Sequence, residues 1–240
     1  MTNNYYPGTP ARNFIETGLS ETFAAVLRRV YSWMTLGLLL TAGTATFVSA
    51  TPLFQVLAAQ PLIFFVLMFA ELGLVIGLSW GINRLASATA VLLFLLYSIL
   101  NGLTFSVLFA VYTLGSVAST FVATAALFGV MSILGYATKM DLSRLGSFLF
   151  MGLIGLLIAM LVNLFWANTV LGWIITFAGI LIFLGLTFFD TQRIKRMTAA
   201  ALQQGDENVQ ARMGILGALS LYLDFINLFL FMLRLGGRRR

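Results

Sequence analysis

The chain has 240 residues, 60% of them hydrophobic and only 9% charged, with a net charge of +6 and a mean hydropathy of +0.98. A soluble domain is about a quarter charged, so this composition excludes an ordinary water-soluble fold and points to a multi-pass membrane protein. With no cysteine and no histidine, disulfides, thiolate chemistry, the usual zinc, copper and haem ligands and the usual neutral-pH proton carrier are excluded, which leaves carboxylates to sense pH.

Residues 1–28 have no basic stretch leading into an apolar core. They read as a cytoplasmic N-terminal tail rather than a cleaved signal peptide, with an amphipathic turn through Phe23, Val26 and Leu27 at its end. A bilayer core of about 30 Å takes about 20 apolar residues per helix. Seven runs in residues 29–235 meet that length: roughly 30–50, 61–81, 86–111, 115–137, 146–166, 170–191 and 213–235. They are continuous and rich in Leu, Phe, Ile and Ala, without the alternation of a β-barrel. The expected fold is an all-α membrane protein of seven transmembrane helices. Gly73, Gly77 and Gly81 form a ridge on the second span that permits close helix approach, and tight packing is its expected role.

The positive charge belongs to membrane anchoring rather than nucleic acid, because the arginines stand at the ends of apolar runs. Arg12, Arg28 and Arg29 precede the first span and Arg84 follows the second. Lys139 and Arg144 follow the fourth span, and Arg193, Lys195, Arg196 and Arg212 follow the sixth. The loops after spans one, three and five contain no Lys or Arg, so the rule of positive cytoplasmic loops puts the N-terminus inside. Only the sixth loop, about 192–212, is long. Seven full spans leave "RLGGRRR", and with it the basic tail 236–240, on the opposite side; a re-entrant last segment is the alternative.

The final span, "ALSLYLDFINLFLFMLR", carries Asp224 near its middle, and "GLTFFDTQRIKRM" supplies Asp190 at the end of the sixth. A charge at bilayer depth costs about 2.5–3.5 kcal/mol or more and usually turns inward. Gly217, Ser220, Asp224 and Asn227 recur at spacings of three and four, so they share one helical face and line a protein interior or a cavity. The plain readings are a local pair of Asp190 with Arg193 or Arg84, and a protonated Asp224 hydrogen-bonded to a neighbouring helix. The sharper reading brings the two carboxylates together. At close range in a low dielectric both cannot ionise cheaply, so the pair takes a proton at mildly acidic pH. Deprotonated, it offers hard oxygens to a transient Ca²⁺ or Mg²⁺. Straight helices put Asp224 about 16 Å deep and Asp190 near the surface, so a meeting requires the sixth helix to extend inward or the seventh to begin below the membrane face. Glu71, near the centre of the second span, has Arg234 as its candidate ion-pair partner, and Arg84 is a candidate latch on the carboxylate pair.

"FFDTQRI" and "ALSLYLDFINLFLFMLRLGG" closely resemble the transmembrane Bax inhibitor motif family in its bacterial branch. The likeness covers the seven-span layout, including "NGLTFSVLFAVY" and "KMDLSRLGSFLFMGLIGLLIAM". It implies a central seventh helix ringed by the other six, a di-aspartyl gate at Asp190 and Asp224, and a pH-sensitive calcium leak in the bacterial inner membrane. Calcium is then a permeant ion, with no tightly bound cofactor. Where the family's latch stretch tends to be densely basic, this chain has "SWGINRLAS", with Arg84 alone. Some bacterial relatives are linked to a membrane-anchored ATP-dependent protease, and residues 1–28 suit such a contact; a regulator of that protease, with a purely structural acidic pair, is the competing function. An enzyme is disfavoured. Intramembrane aspartyl proteases, which also place acid and base on two spans, resemble one another in Tyr-Asp and Gly-x-Gly-Asp motifs, against "YLDF" and "FFDT" here. A retinal protein is excluded because Lys139 and Lys195, the only lysines, lie in loops.

Overall fold

The computed structural model describes the chain except residues 1–9, 82–84, 139, 205–206 and 240, and side chains except those of 10–24, 143, 199–204 and 207–210 as well. Among the described residues the fold is all-helical: α1 (Pro10–Ser49), α2 (Leu53–Ala59), α3 (Pro61–Gly81), α4 (Ser87–Ser106), α5 (Leu108–Val111), α6 (Leu114–Ala137), α7 (Ser143–Trp166), α8 (Thr169–Gln204) and α9 (Glu207–Gly236). Seven stretches are long and apolar enough to cross a membrane; α1 supplies Ala25–Ser49, and α4 with α5 supplies Ser87–Val111. In hydrocarbon every backbone polar group must be paired within the segment, which selects helices.

The breaks follow local chemistry. Pro61 opens α3, where its missing N–H costs nothing, and Gln60 before it is extended, as the residue preceding a proline prefers. Thr113 caps α6, its hydroxyl accepting from the Ser116 amide at 3.3 Å. Ala167 ends α7 at φ 44°, the left-handed conformation that glycine normally takes at a helix end.

Two expectations need correction, the long sixth loop and the packing role of the glycine ridge. The stretch 192–212 is not a long loop, because α8 runs on to Gln204 and α9 begins at Glu207. "TQRIKRMTAAALQQ" contains no helix breaker before Gly205, so Asp190 sits inside a helix instead of ending one. The last segment is one unbroken helix to Gly236, as a seventh full span requires and the re-entrant alternative does not. The glycine ridge is also misplaced as a packing surface: a Cβ on Gly73 or Gly77 would meet nothing within 4 Å. Spacing identified a groove but not the neighbour to fill it. Close approach occurs instead at Gly102, where a Cβ would stand 2.8 Å from the Thr41 carbonyl oxygen, so α4 lies tight against α1.

Burial is uneven. The α9 span is 67% buried, against 6% for α3 and 11% for the α7 span. Helix α9 packs on α8, α1, α6 and α4, while α3 lies mainly on α4 and α7 on α8. Phe65, Phe69, Phe148 and Phe165 on α3 and α7 are exposed, as a surface in contact with lipid requires. Phe225 of α9 is buried edge-on between Phe121 and Phe128 of α6, at 5.2 and 5.5 Å between ring centres.

Candidate functional site

Asp190 on α8 and Asp224 on α9 line one cavity of about 1120 Å³, bounded by α3, α7, α8 and α9. Asp224 is 4% exposed, and its Oδ2 has no hydrogen-bond partner among the described residues. The Asp190 side chain is 13% exposed and lies 3.9 Å from Arg193 Nη1, one turn along α8. The plain reading of Asp190, a local pair with Arg193, is therefore present; the plain reading of Asp224 is not met at Oδ2. Continuation of α8 past Asp190 puts this carboxylate within a membrane-length helix, which reduces the depth mismatch expected from straight, shorter helices.

The polar stripe of α9 divides. Ser220 and Asn227 line the cavity with Asp224, and the Asn227 amide turns back to donate to the Leu223 carbonyl at 2.8 Å. Gly217 instead abuts Ile194 and Val30, giving α9 room between α8 and α1.

Glu71 and Arg234 are not brought together as an ion pair. Glu71 Oε1 accepts a hydrogen bond from Thr104 Oγ1 at 2.9 Å, because α3 packs mainly on α4. The Arg234 guanidinium lies against Gly172 of α8, where a Cβ would come within 3.0 Å of Nη2. Arg84, the candidate latch, lies outside the described residues. At the basic end, α8 is tied to the α6–α7 connection: Gln192 Nε2 donates to the Met140 carbonyl at 2.6 Å, and Arg196 pairs with Asp141 at 2.9 Å.

A second polar cluster had no part in the sequence-based site. Tyr222 is fully buried, its hydroxyl 2.6 Å from Thr41 Oγ1 and its ring edge-on to Tyr97 at 5.6 Å. The signal was present in "YSILNGLT", where Tyr97, Asn101 and Thr104 fall on one helical face. The cluster joins α1, α3, α4 and α9. Thr104→Val is expected to cost about 1 kcal/mol by leaving Glu71 without its donor; a thermal melt in detergent checks this, and Thr104→Ser should retain most of the stability.

Among the described residues no group of three or more Asp, Glu, His or Cys stands together to hold a metal ion. Two carboxylates are fewer than the about six to eight oxygen ligands that a resident Ca²⁺ takes.

Residues 24–240 match the family described as Inhibitor of apoptosis-promoting Bax1. The chain is 47% identical over 215 residues to the inner membrane protein YbhL of Escherichia coli (strain K12), covering 89% of this chain and 92% of that protein. It is 43% identical over 218 residues to an uncharacterized protein of Borreliella burgdorferi, covering 89% and 92% of the two chains. It is 42% identical over 219 residues to an uncharacterized protein of Deinococcus radiodurans, covering 91% of each. With seven membrane-length helices and a family match that takes in all of them, the chain belongs to the Bax inhibitor family of membrane proteins.

Proposed function

We propose that this protein lets calcium leak down its gradient across the bacterial inner membrane, through a path that opens when Asp190 and Asp224 are deprotonated and closes when they hold a proton. One observation carries the reading: carboxylates from two consecutive spans line the same cavity, and an oxygen of the buried Asp224 has no partner among the described residues. Deprotonated, the pair presents hard oxygens to Ca²⁺; protonated, it loses that attraction. Each charge moving inward gains about 2.3 kcal/mol per 100 mV of inward-negative potential.

The name of the Escherichia coli relative supports the inner membrane. Clustering of Arg28, Arg29, Arg144, Arg193, Lys195, Arg196 and Arg212 at one end of the spans supports a cytoplasmic N-terminus. The burial of α9 and its contacts with four helices support its place as the central helix. In this reading Arg193 already holds Asp190, and Arg84 is the latch that would strengthen the closed state. The test is calcium entry into proteoliposomes loaded with a calcium dye. Flux should rise from acidic to alkaline pH, and a pH-independent flux equal to that of empty liposomes would refute the leak. Co-purification with a membrane-anchored ATP-dependent protease that needs residues 1–28 and ignores both aspartates would replace this reading with the regulatory one.

A further inference from the structure

The cavity beside Asp224 is far larger than a bare ion needs. Its volume of about 1120 Å³ slightly exceeds the usual range of small-molecule pockets, about 300–1,000 Å³. Its walls are largely apolar, with Leu72 and Val75 from α3, Phe150 and Leu153 from α7, Phe183 from α8 and Phe231 from α9. Helices α3 and α7 pack mainly on α4 and α8 respectively, and their spans are the least buried of the seven. The cavity therefore lies between two helices that lipid bathes.

Its charges are unevenly placed. Asp190 is offset by Arg193 at 3.9 Å. Arg234 stands against Gly172, about 15 Å farther along α9 than Asp224 at the helical rise. Ser220 and Asn227 are neutral. When the pair is deprotonated, the charge left facing the apolar walls is that of Asp224, 4% exposed, with Oδ2 unpartnered among the described residues.

We propose that this cavity binds a lipophilic organic cation, a quaternary ammonium or phosphonium carrying aryl or alkyl groups, which enters from the bilayer between α3 and α7 and sets its charge against Asp224. A hydrated metal ion gains nothing from leucine and phenylalanine walls, whereas such a cation matches both features. Its substituents fill apolar volume without leaving unpaired donors, and its centre neutralises the carboxylate. The proposal rests on the geometry around Asp224 and not on the passage of calcium.

The test is equilibrium dialysis of the purified protein in calcium-free detergent with tritiated tetraphenylphosphonium, at the alkaline pH where Asp224 is ionised. Saturable binding is expected, displaced by tetrabutylammonium and not by tetramethylammonium, whose body is too small to fill the walls. Asp224→Asn should weaken affinity by roughly tenfold or more. Leu153→Trp, which fills the cavity and keeps the carboxylate, should do the same, while Asp141→Asn, at an exposed carboxylate paired with Arg196, should bind as wild type. Equal binding by wild type, Asp224→Asn and Leu153→Trp, or equal competition by tetramethylammonium, overturns the proposal. Without calcium in the assay, failure here and failure of the leak in liposomes are separate results.

Discussion

Asp224→Asn is expected to hold calcium flux low at every pH, at least about tenfold below the alkaline wild-type value, a loss of about 1.4 kcal/mol or more. Asparagine has nearly the shape of a protonated aspartate but cannot release a proton, so it mimics the closed state permanently. The sign follows from charge alone. At acidic pH the wild-type pair already holds a proton, so wild type and variant should converge there. They should diverge as pH rises, because only the wild type gains a negative charge deep in the cavity. Asp224→Glu keeps the titrating group and should keep a pH-dependent flux. Stopped-flow dye measurements on the three proteins, reconstituted at equal protein content, decide the matter. A variant with asparagine that conducts as wild type at alkaline pH would remove Asp224 from the path, whatever the cavity looks like. Asp141→Asn, which breaks an exposed pair with Arg196, should leave flux unchanged, since exposed pairs contribute only about 0–1 kcal/mol.

The spans and both aspartates were legible in the sequence because apolar length and a charge at bilayer depth are strong, local signals. Boundaries of Pro61–Gly81 and Thr169 onward followed the apolar runs closely. Less legible was anything set by one helix choosing its neighbour. The ridge of Gly73 and Gly77 promised an interface that α3 does not make, because α3 turns Glu71 rather than glycine toward α4. The pairing of Glu71 with Arg234 failed for the same reason: similar depth does not specify azimuth. The polar run after Arg193 read as a loop because charge suggests water, yet helix-forming residues can carry a helix out of the bilayer without interruption. Tyr222 was hidden by its own neighbours, one apolar letter among many. Its partner Thr41 is 181 positions away, and only the fold brings them together.

Phe225→Ala is expected to destabilise the bundle by about 3 kcal/mol while leaving the pH response of any flux intact. Phe225 is 2% exposed and holds α9 to α6 through edge-on contacts with Phe121 and Phe128. Two such contacts are worth about 0.5–1.5 kcal/mol each beyond area burial, and truncation leaves a void that the neighbouring rings cannot close. In a water-soluble core the change costs about 3–5 kcal/mol. Here the low end applies, because lipid tails are as apolar as the core and packing, rather than escape from water, holds the helices together. Phe165→Ala, at a ring 83% exposed, should fall within about 0.5 kcal/mol of wild type. Unfolding in detergent with increasing denaturant compares the three. Phe225 and Asp224 are adjacent in sequence but point to different sides of α9, one into the aromatic contact with α6 and the other into the cavity. A loss of stability with retained pH response would therefore separate the helix's packing role from its acidic one, whereas loss of both at once would mean that contact with α6 sets where Asp224 points.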